Sequence, residues 1–417
     1  MQPKQKNCLT QLLNRTDMTM MNNPEEIHVE IDVQQKRPKG ENACGDVFQS
    51  DLSREEGRTI LVMSDGIGHG IKASVLATLT ATMAVKYTRF HTKPEVAARI
   101  IMNALPKSSD GKENYATFTI IEIEPDRTVR IINYDNPRVM IARNGKSYYP
   151  KETELNVRGE ENLGKVLRVR EFTAIKEDRL IFVSDGITQS GLGSNQFPIG
   201  WGYERMEEFT LSQINRMADM SATKLAKKII NQAAINDDFS MKDDATCGVI
   251  YFREPRKFML ITGPPFYKIK DFDFVGRIKN FPGKKIICGG TTAEIIAREL
   301  GLEVQIQHYR KDADILPPAA KMQGFELISE GILTLRKVEE ILESYDSDTR
   351  LGDSPAEEIV KLLLQHDVID IIVGTRINWA HQDPEQPIEL ELRKYVVKRI
   401  VHILRNKFFK KVMMEYI

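Results

Sequence analysis

The sequence predicts an α+β protein followed by a smaller α/β domain, and three observations carry that reading. The chain has 417 residues, more than one ordinary hydrophobic core organises, so two domains are expected. From Ile27 to Phe252, many short strand-like segments surround a few grouped helices, which suggests layered α+β structure with antiparallel sheet. Beyond "REPRK", Arg253 to Lys257, strand and helix patterns alternate, as in an α/β domain with some parallel sheet. The expected divisions are a loose, polar arm over 1–25, a first domain over 26–253 and a second over 258–417.

The elements follow in order. "IHVEIDV" places Ile27, Val29, Ile31 and Val33 on one face, the signature of a half-buried strand. "DVFQSDL" and "RTILVMSD" continue as strands. "GIKASVLATLTATMAVKYTRF" reads as a long, Ala-rich buried helix, and Pro94 starts another at its first position. "YATFTIIEIE", "TVRIINY" and "RVMIARNGK" are three strands separated by Pro-Asp and Asn-Pro turns. "EFTAI" and "RLIFVSD" pair around Lys176-Glu177-Asp178. A Gly-rich loop, the helix "SATKLAKKIINQAA" and the strand "ATCGVIYF" close the first domain. In the second, "FMLITGPP", "KKIICGGTTAEIIARELG", "LEVQIQ", "FELISEGILTLRKVEEILE", "SPAEEIVKLLLQH" and "VIDIIVGTR" alternate. Ser354-Pro355-Ala356-Glu357 is a capping box with Pro at the first helical position. A basic amphipathic helix, "ELRKYVVKRIVHILRNKFFKKV", ends the text; packing on the core, a homodimer contact and an acidic partner are its three open outcomes.

Composition excludes several classes. Lys plus Arg and Asp plus Glu are both 59, so no global field favours nucleic acid or an anionic membrane. No apolar run approaches the ~20 residues of a membrane-spanning helix. Four cysteines without a C-x-x-C pattern fit a reduced, cytoplasmic setting. The amino-terminal segment lacks the apolar stretch of a signal peptide.

The chemistry lies in the acids at the ends of apolar runs. Asp46 follows the glycine in "GENACGD". "ILVMSDGIGHG" and "LIFVSDGIT" end two runs in the same Ser-Asp-Gly, carrying Asp65 and Asp185. Asp243 and Asp244 precede the last strand in "DDAT". One Ser-Asp-Gly is ordinary turn chemistry; four acid sites in this order are not. Strand ends meeting at one edge would bring these carboxylates together, where they repel unless cations intervene. Hard oxygen ligands without His or Cys suit Mg²⁺ or Mn²⁺. A glycine at 66 leaves its carbonyl free to turn toward a cation.

Over residues 27–252 this ordered set resembles the metal-dependent, type 2C-like serine/threonine protein phosphatases, and most closely the bacterial stage II sporulation E branch. "FPIGWGYERMEEF" stands where that family has a flap-like loop leading into a helix. The resemblance implies a two-sheet antiparallel β-sandwich flanked by helices, with two divalent cations, Mn²⁺ or Mg²⁺, at one edge. Asp65 would bridge both, Gly66 would bind one through its carbonyl, Asp185 and Asp243 (or Asp244 in its place) would hold the other, and Asp46 would support the first. Water activated between the cations would hydrolyse phosphoserine or phosphothreonine on a bacterial regulatory protein, such as an anti-sigma-factor antagonist. His69 either donates a proton to the leaving group or is simply a histidine at a helix start. No arginine clearly matches the phosphate-gripping one of eukaryotic members, Arg37 being a distant candidate. The turn from Asn133 to Pro137 replaces a small-residue turn, and its role is open.

Two other readings compete. A phosphatase-like protein with weak or no activity would bind a partner only. A histidine-kinase-type ATPase fold would use Asp65 to Gly70 for nucleotide, but it needs an upstream helix carrying Asn. In the second domain, "LITGPP", "IICGGTT" and "IIVGTR" end strands in Gly beside Thr or Pro. Such ends could line a ligand crevice of a regulatory or partner-binding module, although Gly after a strand is also plain turn chemistry.

Overall fold

The structure is a computed structural model that describes residues 26–417 apart from 39, 42, 54–55, 69, 106–115, 158, 160–163, 307–318, 347–348, 377–385 and 409. His69 and the expected arm over 1–25 therefore lie outside the described residues. The chain divides into two compact units, Met1–Glu254 and Pro255–Ile417.

In the first unit, β1 (His28–Lys36), β2 (Asp46–Ser53) and β3 (Arg58–Gly66) precede α1 (Gly70–Arg89) and α2 (Pro94–Ala104). Next come β4 (Ala116–Ile123), β5 (Thr128–Tyr134), β6 (Met140–Arg143), β7 (Lys146–Ser147), β8 (Glu152–Asn156), β9 (Val166–Thr173) and β10 (Arg179–Val183). The unit closes with α3 (Asp185–Thr188), α4 (Tyr203–Arg216), α5 (Ala222–Asn236) and β11 (Ala245–Arg253). Two sheets form, ordered β1-β11-β10-β6-β7 and β2-β3-β4-β5-β9-β8. Every pairing in them is antiparallel.

The layers follow from strand alternation. Leu61, Met63, Ile121 and Ile131 of one sheet meet Leu180, Phe182, Ile250 and Phe252 of the other. Their neighbours Ile60, Val62 and Ile120 point the opposite way, onto Ala81, Ala84 and Ile101 of α1 and α2. Both faces of β3 are thus buried, which is why its sequence is continuously apolar rather than alternating. On the far side of the sandwich, Met206, Ile214, Leu225 and Ile229 of α4 and α5 cover Ile181 and Val249. Each such large side chain removed from water contributes about 1.5–3 kcal/mol. This is the α+β sandwich flanked by helices that the sequence predicts.

Three local expectations need correction. "RVMIARNGK" is a hairpin, not one strand. Asn144 and Gly145 both take positive φ (51° and 70°), so the chain reverses and Arg143 faces Lys146. Asp185 does not end a strand. β10 stops at Val183, Ser184 occupies the N-cap and Asp185 is the first residue of α3. The carboxyl-terminal helix also stops earlier than its basic pattern suggests, and a strand follows.

The second unit contains β12 (Lys257–Thr262), α6 (Asp271–Asn280), β13 (Lys284–Cys288), α7 (Gly290–Leu300), β14 (Gln305–Ile306), β15 (Ala320–Met322) and β16 (Phe325–Ser329). They are followed by α8 (Ile332–Ser344), α9 (Pro355–Gln365), β17 (Val368–Val373), α10 (Gln386–Asn406) and β18 (Lys411–Tyr416). The sheet order is β14-β15-β16-β13-β12-β17-β18, parallel from β16 to β18 with an antiparallel β14–β15 edge. The capping box forms at α9: Glu357 N donates to Ser354 Oγ, and Ser354 N donates back to the Glu357 carboxylate. Val396, Val397, Ile400 and Leu404 of α10 pack into the core with α8 and α9, so core packing is the outcome for the basic helix.

Candidate active site

β2 and β3 run antiparallel in a register that sets Asp46 directly opposite Asp65. Like charges facing each other across strands are destabilising, so this pair is costly for the fold alone. Asp65 also faces Thr117 of β4, on its other side. The second sheet brings the remaining acids to the same edge. Asp243 and Asp244 immediately precede β11, and Ser184-Asp185 immediately follows β10, its neighbour.

Hydrogen bonds tie the sheets together at this edge, one of them from Gln35 Nε2 of β1 to the Asp46 carbonyl at 3.3 Å. Thr246 Oγ1 donates to Asp46 Oδ2 at 2.6 Å, and Gly45 N donates to Asp244 Oδ2 at 2.7 Å. Ser184, completely buried, accepts from Thr246 N at 2.9 Å. Gln189 Nε2 donates to Asp185 Oδ2 at 2.8 Å, one helical turn further on. Asp243 Oδ1 accepts from Asp244 N at 2.8 Å.

What these contacts leave undone is informative. Asp46 and Asp244 are each only 3% exposed, yet their Oδ1 atoms have no hydrogen-bond partner. A buried carboxylate oxygen without a donor is costly. Burial pushes the Asp65 carboxyl up to about 9, with repulsion from Asp46, Asp185 and Asp243 adding to it, and Asp185 hydrogen-bonds its protonated form. Burial raises Asp46 to about 7, against hydrogen bonds from Thr246 and Ser184 and with repulsion from Asp244 and Asp185. The same negative field reaches Cys44, whose thiol is held up at about 12 by burial and by Asp46 and Asp244. The edge therefore disfavours the ionised carboxylates, and no cationic side chain of the described residues is among the groups that offset this.

The glycines of both Ser-Asp-Gly triplets have a packing reason. A Cβ on Gly66 would stand 2.0 Å from the carbonyl oxygen of Ala73 in α1, and one on Gly186 would stand 2.1 Å from that of Asp244. Gly66 thus lets α1 pass close beneath the site, and Gly186 lets α3 seat against the chain entering β11.

The structure brings Asp46, Asp65, Asp185, Asp243 and Asp244 to one edge. Among the described residues, however, no three His, Cys, Asp or Glu side chains form a group ready to hold a metal ion. The all-oxygen donor set, the two orphaned carboxylate oxygens and the raised carboxyls nonetheless fit hard divalent cations. Arg37 is exposed just beyond β1, whose last residue pairs with Ala245. Before Asp65 the described elements are strands, not the helix that an ATPase-type nucleotide site needs.

Sequence reasoning missed the residues that hold Asp65 from the side. Asn136 is 8% exposed; its Oδ1 accepts from Thr117 Oγ1 and its Nδ2 donates to Thr119 Oγ1 at 3.0 Å. Asn133 Nδ2 in turn donates to the carbonyls of Asn136 and Pro137. The open Asn133–Pro137 turn is thus a clamp on β4 beside Asp65. Two asparagines three apart in a turn were the signal, and they read as turn chemistry alone.

Comparison with known proteins bears on the first unit. Residues 55–253 match the family model of the Stage II sporulation protein E (SpoIIE). No curated protein sequence matches the chain. Among solved structures, the SpoIIE phosphatase domain of Bacillus subtilis is 17% identical over 55% of this chain and 95% of that chain, with a TM-score of 0.40. RsbX in complex with magnesium is 19% identical over 54% of this chain and 96% of that one, at 0.39. The catalytic domain of the serine/threonine phosphatase PstP with two manganese ions is 14% identical over 55% and 100%, at 0.38. Among the described residues no helix is long and apolar enough to cross a membrane. Over residues 55–253, the first unit is thus similar to the Stage II sporulation protein E (SpoIIE) family.

Proposed function

We propose that the first unit hydrolyses phosphoserine or phosphothreonine on a regulatory phosphoprotein, with the acids at the sandwich edge holding two divalent cations. The observation that carries this reading is the Asp46–Asp65 pair, set face to face in register, with Asp46 buried and one of its oxygens orphaned. Asp65, whose carboxyl feels Asp46, Asp185 and Asp243, would bridge both cations, with the Gly66 carbonyl beside it. Asp185 and Asp243 would hold the second, and Asp46 would support the first. Asp244 is already fixed by Gly45 and serves better to orient Asp46 and Asp243 than to replace the latter. Bound cations supply Lewis-acid activation of water and neutralise the phosphate. The chain's own work is to hold the carboxylates in place. Thr246 and Ser184 orient Asp46, Gln189 orients Asp185, and the Asn136 clamp steadies β4 beside Asp65. Mn²⁺ or Mg²⁺ would serve, and an anti-sigma-factor antagonist is the class of substrate the family reading suggests.

A second reading is favoured by one observation. The described acids do not close into a group of three, as expected for a phosphatase-like protein that only binds a partner. Hydrolysis of para-nitrophenyl phosphate, and of phosphoproteins from the source cell, separates the two readings. Mn²⁺-dependent turnover that disappears in Asp65→Ala supports the enzyme. A folded chain that binds Mn²⁺ weakly and remains inert across divalent metals supports the binding protein. The second unit is proposed to adjust the first; its role would be untenable if occupying or disrupting it left rate and substrate choice unchanged.

A further inference from the structure

The parallel strands of the second unit stand in the order β16-β13-β12-β17-β18. Numbered by appearance, this is 3-2-1-4-5, so the chain order reverses beside β12. Open parallel sheets bind ligands outside the carboxyl ends of their strands at such a reversal. A cavity of about 1060 Å³ lies there, lined by residues that follow β12, β13, β16 and β17. Pockets for small molecules commonly run to about 300–1,000 Å³, so this one takes a sizeable metabolite.

Its walls differ in chemistry. Along one side, α7 begins with Gly289 as N-cap and no side chain caps it. The first backbone bond of that turn is donated by Ala293 to Gly289, which leaves the amides of Gly290, Thr291 and Thr292 directed at the cavity end. Gly289 takes φ +135°, a conformation that L side chains rarely adopt, and a Cβ on Gly290 would meet nothing within 4 Å. Arg393 of α10 lays Nη1 2.7 Å from where a Cβ on Gly263 would stand, so a guanidinium covers the glycine that follows β12. Lys268 lines the same space. The acids of the cavity are largely engaged. Asp271 pairs with Arg376 and Arg298, and Glu330 accepts from the first amides of α8. Ile269 and Phe272 also line the cavity, while 89% and 76% exposed. Phe272 offers a ring face, and Ile269 an apolar surface, against which a flat ring can pack.

We propose that this cavity binds a nucleoside phosphate. The phosphate would sit on the α7 amides with Arg393 and Lys268 around it, and the ring against Phe272 and Ile269. Glu294, one turn into α7, would accept from a ribose hydroxyl. No Gly-x-Gly-x-x-Gly stretch is present, so the amides come from one uncapped helix start after the second strand of the series, not from a dinucleotide loop after the first.

Calorimetry on the full chain in EDTA tests this with AMP, ATP and GTP, and with adenosine and inorganic phosphate as the two halves. At least one nucleotide should bind with a Kd below about 100 μM, at least about tenfold tighter than either half. Gly290→Asp, which introduces a carboxylate into open space at the amides, and Phe272→Ser, at an exposed rim position, should each weaken binding about tenfold or more. Phe272→Ser decides alone if Gly290→Asp lowers the melting temperature. The proposal is overturned if no nucleotide binds at millimolar concentration. It is equally overturned if inorganic phosphate binds as tightly as the nucleotide, or if binding is indifferent to Phe272→Ser.

Discussion

The two Ser-Asp-Gly triplets look interchangeable in the sequence and are not. Ser64-Asp65-Gly66 remains in β3, so Asp65 is held on both sides by strands, opposite Asp46 and opposite Thr117. Ser184-Asp185-Gly186 leaves its strand at once, and Asp185 opens the four-residue helix α3. The first acid is positioned by sheet register, the second by a helix start with Gln189 behind it. What they share is the glycine, which in each case admits a backbone carbonyl to within about 2 Å of where a Cβ would lie. The difference teaches that the repeated triplet marks a shared packing need and a shared destination, not a shared local structure.

The largest effect should come from the acids. Asp65→Ala and Asp185→Ala are each expected to lower metal-dependent turnover at least about a thousandfold, the loss of several kcal/mol of transition-state stabilisation. If one of the two leaves the rate within tenfold of the parent, the acids do not serve one centre. Next, Gly66→Ala and Gly186→Ala should each destabilise the fold by about 3 kcal/mol, because the colliding atom is backbone. Chemical denaturation would show this, and a cost at only one site would end the packing parallel. The side supports come third. Asn136→Ala leaves the buried Thr119 hydroxyl and the half-buried Thr117 hydroxyl short of a partner and should cost about 1–3 kcal/mol. Gln189→Ala, on a more exposed bond, should leave stability unchanged and lower turnover by about tenfold. Smallest is a gain: in EDTA, Asp65→Asn should raise stability by about 1 kcal/mol, because the amide removes a carboxyl whose ionised form burial and the neighbouring acids disfavour, although it abolishes activity. Added Mn²⁺ should raise the melting temperature of the parent and not of Asp65→Asn.

Much of the fold class was legible because strand and helix periods are clean here. Ile27 to Val33 alternate, β3 is apolar on both faces, and Ser354 to Glu357 announce a helix start. β8 was not legible, since Glu152–Asn156 is a polar edge strand without alternation. β18 was hidden because Lys411 to Tyr416 continues a basic, apolar pattern that suits a helix equally well; only its parallel pairing with β17 makes it a strand. The acids were found because each sits where an apolar run breaks. Asn136, Thr117 and Ser184 were not, because a hydrogen bond between residues distant in sequence leaves no local pattern. The helical start at Asp185 was missed for a related reason: Asp-Gly after a strand reads as a turn.

The ties across the sandwich edge have a mechanical consequence. Asp46 belongs to one sheet and Thr246 to the other, and Gly45 and Asp244 repeat the arrangement. The site is therefore a clasp between two slabs whose shared interior is greasy, non-directional contact. Sliding of one slab over the other would stretch the clasp well before the interior noticed. The exchange rate of the Gly45 amide is the gauge to read for that slip.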